Sequence, residues 1–178
     1  MNFVEETVEE RVMFEGKILR VRQDIARQAD GLIVTRDVVD HNGGVCILPI
    51  TDEGEVILVR QFRYPYKEEL LEIPAGRLEK GEDPYDCGVR ELKEEVGATA
   101  EEVVSLGHMY PTPGYVNEKI YMYAAKGLSF GENDLDEGEQ LSVEKYPIEK
   151  ALEMIKTGEI IDAKTIIALM KVAFLLKD

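Results

Sequence analysis

The order of local patterns along these 178 residues predicts an α+β fold, a mixed sheet layered with helices rather than an alternating doubly wound sheet. Three observations carry that prediction. The first third alternates apolar and polar residues in the manner of strands, one capped helix interrupts the strands in the middle, and two helices close the chain. No internal repeat, low-complexity tract or linker divides the sequence. The whole chain therefore reads as one domain.

The elements follow in order. Segments 17–27 and 32–40 flank Ala29-Asp30-Gly31, a hairpin turn. Segments 45–50 and 55–62 flank Asp52-Glu53-Gly54, which reads as a second hairpin. Residues 69–73 give a short strand into Pro74-Ala75-Gly76. A helix then starts at the N-cap Asp83, with Pro84 suited to its first position, and leaves through Gly97 in a left-handed conformation. Tyr85, Val89, Leu92 and Val96 recur on it as a narrow core-facing stripe. Segments 103–110 and 119–125 are strands joined by the Pro-Thr-Pro-Gly loop at 111–114, and an acidic loop at 131–139 precedes a strand near 141–145. Segments 147–157 and 162–176 are helices, the second with an apolar face through Ile166, Ile167, Met170 and Phe174.

Composition narrows the function classes. The formal charge of −15 argues against non-specific binding of nucleic acid or an anionic membrane. No apolar run is long enough to span a bilayer and no signal peptide is visible, so the expected compartment is the cytoplasm. Cys46 and Cys87 lack zinc-ligand spacing and read as buried free thiols.

Residues 76–98, GRLEKGEDPYDCGVRELKEEVGA, hold the functional signal. At 100° per residue, Glu91 and Glu95 lie side by side at about 100° from the centre of the apolar stripe, at the edge of the buried face. Like charges at i and i+4 cost a few tenths of a kcal/mol. Glu94 and Glu95 also occupy the last turn, where the helix dipole disfavours each anion by about 0.3–1 kcal/mol. Arg90 offsets part of this through Glu94 and leaves the pair Glu91 and Glu95 uncompensated. A hard divalent cation would compensate it, and oxygen-only ligands select magnesium or manganese over zinc. The bland alternative is a solvated acidic face, which leaves Arg90, the two glycines and the preceding loop unexplained.

The spacing Gly76, Glu82, Arg90-Glu91-Leu92, Glu94-Glu95, Gly97 resembles the signature of the Nudix hydrolase family, with Ala98 smaller than the usual last apolar residue. The resemblance implies an α/β/α sandwich that uses Mg²⁺, with Mn²⁺ a possible substitute, to hydrolyse a small-molecule nucleoside diphosphate. Outside the signature, Thr35-Arg36-Asp37-Val38-Val39, Val59-Arg60-Gln61-Phe62-Arg63, Glu72-Ile73-Pro74-Ala75-Gly76, Tyr110 to Tyr115 with Pro113, and Asp162-Ala163-Lys164-Thr165 look most like the bacterial ADP-ribose pyrophosphatase branch. That likeness implies cleavage of ADP-ribose to AMP and ribose 5-phosphate, and a homodimer in which residues 1–44 form a strand-rich N-terminal arm of the same domain as residues 45–178, exchanged between protomers and helping to line the adenosine site. It also implies roles. Glu91 and Glu95 would be metal ligands, assisted by the Ala75 carbonyl and Glu139. Glu82 and Glu94 would complete or orient the metal network, and Arg90 would hold the glutamates in place. Arg63 would meet the diphosphate, Arg36 and Asp37 the adenosine, and Glu118 the terminal ribose. Glu137 would be the general base, with the roles of Glu137 and Glu139 interchangeable. Alternative substrates are another nucleoside diphosphate sugar or NADH, and a further alternative is an inactive domain that senses ADP-ribose. His41 and His108 adjoin no nucleophile pattern and read as structural.

Overall fold

The computed structural model describes residues 3–135, 138 and 140–175. Contacts divide the chain into two units, the described residues of Met1–Gly43 with Tyr110–Lys119, and those of Gly44–Met109 with Ile120–Asp178.

The first unit is an antiparallel meander of β1 (Glu6–Glu15), β2 (Leu19–Arg27) and β3 (Ile33–His41). The expected turn between β2 and β3 closes through the Gln28 N–H to Leu32 carbonyl bond at 2.9 Å, with Gly31 at φ 89° and the Asp30 carboxylate accepting from the Leu32 N–H. The loop at 110–119 joins this unit by flanking Val39, whose N–H donates to the Tyr115 carbonyl at 2.7 Å and whose carbonyl accepts from the Asn117 N–H at 3.1 Å.

In the second unit, β7 (Ala75–Arg77), β4 (Gly44–Pro49), β9 (Ile120–Phe130) and β8 (Ala98–Met109) form a mixed sheet in that order, with β4 parallel to β9 and antiparallel to β7. A second, antiparallel sheet runs β10 (Leu141–Pro147), β5 (Glu55–Arg63), β6 (Glu68–Glu72). The segments expected to form a second hairpin thus part company. Beyond the turn at Gly54 (φ 79°), one bridge links Ile50 to Val56, and β4 and β5 then enter different sheets. Both strands carry apolar residues on both faces and lie between helices; β4 takes β9 and β5 takes β10 as neighbours from distant sequence, while β6 pairs with β5 across the turn at 64–67.

The side-chain alternation of β4 shows the layers. Cys46, Leu48 and Ile50 pack with Ala151 and Met154 of α2 (Ile148–Thr157) and with Ala168 and Leu169 of α3 (Ala163–Leu175). Val45 and Ile47 face the other way, into the clusters that contain Cys87, Leu92 and Val96 of α1 (Pro84–Val96). Helix, sheets, helices is the expected α/β/α sandwich. Each fully buried side chain such as Leu92 contributes about 2 kcal/mol to it.

Helix α3 fully buries Thr165, Ala168, Leu169 and Val172; of the expected face, Ile166 and Ile167 are half-buried against that core, while Met170 and Phe174 are exposed, Phe174 at 61%. The helix is apolar nearly all round, so periodicity does not choose its inner side. Thr165 does: its hydroxyl accepts the buried Ile73 N–H at 2.9 Å and fixes the rotation. Among the described residues no helix is long and apolar enough to cross a membrane.

Candidate active site

Helix α1 is capped as its sequence dictates. The Asp83 carboxylate accepts the Tyr85 N–H at 2.8 Å, and Gly97 ends the helix at φ 69° with its N–H returned to the Lys93 carbonyl. A side chain at Gly97 would meet the backbone of 131–133, because the acidic loop crosses there. The Gly131 N–H donates to the Gly97 carbonyl at 2.6 Å and the Asp134 N–H to the Glu94 carbonyl at 3.1 Å.

The buried face of α1 differs from the expected stripe. Cys87, Gly88, Glu91, Leu92, Glu95 and Val96 are buried, while Tyr85 is exposed. On a wheel of 100° per residue these six span about 180°, with Glu95 within about 10° of the middle. Glu91 is 8% and Glu95 2% exposed, so both glutamates belong to the inward face and not to its edge. Apolar periodicity misplaced the face because a glycine and two carboxylates occupy it.

Their surroundings explain how the fold tolerates them. The Ala75 N–H donates to Glu95 Oε2 at 3.0 Å, and a Cβ on Gly76 would come within 1.7 Å of Glu91 Oε1. Strand β7 therefore presents bare backbone to both carboxylates, and Gly76 is the residue that lets Glu91 approach. Ala75, expected to offer its carbonyl to a metal, lies against Glu95 through its N–H.

Arg90 reaches further than expected. Besides Glu94 at 2.7 Å it donates to Glu91 at 2.8 Å and to Glu82 at 3.1 Å. Burial alone would lower its pKa, but the Glu82 hydrogen bond and the Glu91 charge outweigh that and raise it. Burial opposes ionisation of Glu82 too, and the Arg90 bond nonetheless holds its pKa low. Arg90 also donates to the Cys87 sulfur at 3.3 Å, and burial pushes that thiol up to about 12.

A second charged cluster was not anticipated. Glu72, at the end of β6 and 1% exposed, accepts both arms of the Arg63 guanidinium, at 2.7 and 2.8 Å, and the Lys164 ammonium. Lys164 lies 3.1 Å from Asp162, which caps α3 by accepting the Thr165 N–H at 3.0 Å. Burial works to raise the Glu72 pKa; the Arg63 fork and the Lys164 charge outweigh it and hold it below the ordinary carboxylate range. The signal available in sequence was a lone glutamate between Leu71 and Ile73 on a buried strand.

The residues expected at the adenosine and ribose lie in the first unit. Arg36 forks onto Glu5 at 2.6 and 2.9 Å, and Asp37 accepts from the Gln23 amide at 3.0 Å. Glu118 lies 3.3 Å from His41 Nδ1, which accepts the Gly43 N–H. Glu137 and Glu139 lie outside the described residues. A groove of about 430 Å³ beside α1 is lined by Tyr85, Val89, Arg90, Lys93, Glu94 and Asp134, and includes neither Glu91 nor Glu95.

Among the described residues no group of three or more His, Cys, Asp or Glu is arranged to hold a metal ion unaided. The donor chemistry nevertheless fits a hard divalent cation. Glu82, Glu91 and Glu94 share a single guanidinium. Glu95 is buried one turn from Glu91, and every side-chain donor among the four is a carboxylate oxygen.

Comparison with known proteins matches the NUDIX domain over residues 40–169. The chain is 38% identical over 167 residues to an ADP-ribose pyrophosphatase of Bacillus subtilis, covering 93% of this chain and 90% of that one. It is 39% identical over 168 residues to a methanol dehydrogenase activator of Bacillus methanolicus, covering 93% and 91%. It is 35% identical over 164 residues to a GDP-mannose pyrophosphatase of Escherichia coli K12, covering 84% and 83%. In fold it matches the crystal structure of an ADP compounds hydrolase, with a TM-score of 0.88 at 24% identity over 97% of this chain and 94% of that one.

Proposed function

Since this chain belongs to the Nudix hydrolase family, we propose that it hydrolyses the diphosphate linkage of ADP-ribose, with Mg²⁺, to AMP and ribose 5-phosphate. The observation that carries the reaction class is the buried pair Glu91 and Glu95 beside a single, shared Arg90. Kinship over nearly the whole length with ADP-ribose pyrophosphatases supports the substrate.

A divalent ion, when bound, supplies neutralisation of phosphoryl charge and a lowered pKa for its water. Glu91 and Glu95 would hold it, with the Ala75 carbonyl and Glu139. Arg90 keeps Glu82, Glu91 and Glu94 from repelling one another and fixes their rotamers. Arg63 would meet the anionic diphosphate; its planar fork suits two oxygens at once. Glu137, or Glu139 in its place, would take the proton of the attacking water, which enters in line with the bridging oxygen. Arg36 and Asp37 would contact the adenosine and Glu118 the terminal ribose. A homodimer in the cytoplasm is part of the same reading.

A second reading, favoured by the GDP-mannose pyrophosphatase relative, keeps the chemistry and changes the nucleotide sugar. Chromatography of the products from a panel of nucleoside diphosphates, with Mg²⁺ and with Mn²⁺, decides between them. AMP and ribose 5-phosphate at the highest kcat/KM support the first reading, and preferential cleavage of a GDP-sugar replaces it with the second.

A further inference from the structure

The cluster around Glu72 holds one buried carboxylate between two cations from different elements. The carboxylate offers about four acceptor sites, and the Arg63 fork takes one on each oxygen. Lys164 approaches Oε2 from α3, and its own side chain is only 12% exposed. Asp162 then holds Lys164 at 3.1 Å while capping the helix that carries it. The result is a chain of charges in the order Arg63, Glu72, Lys164, Asp162, anchored at its far end in a helix terminus. The near end is different. Arg63 is 37% exposed at its side chain, spends Nε and Nη2 on Glu72, and makes no hydrogen bond from Nη1 among the described residues, though the Asp162 and Glu95 charges also act on it.

We infer that Lys164 is a positioning residue for the reaction: by fixing Glu72 from behind, it sets the angle at which Arg63 presents its remaining guanidinium edge to the substrate diphosphate. The inference rests on the reading above in which Arg63 meets the diphosphate. Its physical basis is the difference between a carboxylate held by one partner and one clamped by two. Without Lys164, Glu72 and Arg63 remain paired but the pair can swing, since the Glu72 rotamer then answers to Arg63 alone. The clamp also lies next to the metal side of the site, because Ile73, the residue after Glu72, is bonded to Thr165, and Ala75 two residues further on is bonded to Glu95. The first turn of α3 thus sets both the arginine and the approach of the strand that faces the glutamates.

A double-mutant cycle between Lys164 and Arg63 tests this. Lys164→Met should raise KM for ADP-ribose about tenfold, with a smaller change in kcat, and Lys164→Arg should restore most of the loss. In the Arg63→Ala background the same Lys164→Met change should move KM by less than about twofold. An equal factor in both backgrounds means that Lys164 acts by general structural support, and it overturns the inference. A readout that needs no substrate separates this failure from a wrong assignment of function. The ¹⁵N resonance of Arg63 Nε should shift and its hydrogen exchange quicken in Lys164→Met, and both should return in Lys164→Arg. An Nε signal that does not move in a folded Lys164→Met protein refutes the positioning role even if ADP-ribose proves to be the wrong substrate. A moved signal with no ADP-ribose cleavage by the wild type leaves the clamp standing and removes the proposed reaction.

Discussion

On α1 one guanidinium serves Glu82, Glu91 and Glu94 with Glu95 buried beside them, whereas at the end of β6 two cations share Glu72 and one of them, Lys164, also meets Asp162. Both clusters are built from the same residue types and both are largely inside the protein. They differ in balance. The first is short of positive charge by about three units at neutral pH, counting the four glutamates against Arg90, and the second is neutral. A neutral buried cluster can be a structural fixture complete in itself. A charge-deficient one is contained in part by backbone N–H groups and one arginine, and it gains most from a cation supplied by solvent.

Breaking each cluster should therefore have a different signature. The largest effect should come from Glu72→Ala, which strands Arg63 and Lys164 without their shared carboxylate. Urea unfolding should show a loss of about 3 kcal/mol, and a loss below about 1 kcal/mol would show that the neutral cluster is not a fixture. Next, Glu95→Gln should leave the far-ultraviolet circular dichroism unchanged and reduce Mg²⁺-dependent turnover by more than a hundredfold, about 2.7 kcal/mol at the barrier. Retained turnover would remove Glu95 from the metal ligands. Smaller still, Mg²⁺ at ten times its dissociation constant should stabilise the wild type by about 1.4 kcal/mol. Thermal unfolding of Glu91→Gln/Glu95→Gln should lose that Mg²⁺ response, while Lys164→Met keeps it.

The smallest effect concerns acid. Glu72 and Glu82 have folded-state pKa values below their ordinary 4.5. A depressed folded pKa gives stability that is present above 4.5 and lost as pH falls toward the folded value. Wild-type stability should thus decline as pH falls below 4.5, and Glu72→Gln should flatten the decline. An unchanged acid limb in that variant would mean other carboxylates dominate it.

How much of this was legible in the sequence depends on how local the cause was. The caps of α1 could be read because Asp83, Pro84 and Gly97 act on backbone within a few residues. The β2–β3 turn could be read for the same reason. The sheet assignment of β4 and β5 could not, since their partners β9 and β10 lie far along the chain. The chemistry of Glu91 and Glu95 was legible from spacing, but their depth was not. A pattern search counts carboxylates as outward residues, and here Ala75 and Gly76 offer them backbone instead. Glu72 escaped notice because its partners Arg63 and Lys164 come from two other elements, and no spacing along one strand records a three-way meeting.

Among the described residues, the acidic loop is bonded to α1 through main-chain atoms at Gly131 and Asp134, against the carbonyls of Gly97 and Glu94. A mooring of that kind reads no side chain on the loop. Residues 132–135 can exchange identity, acid for neutral or long for short, without slipping the rope, whereas the post itself cannot change, since any side chain at Gly97 would strike the loop backbone. The carboxylates Glu132 and Asp134 are then free to change while the helix that holds this stretch of loop stays as it is. One glycine fixes the berth and leaves the cargo open.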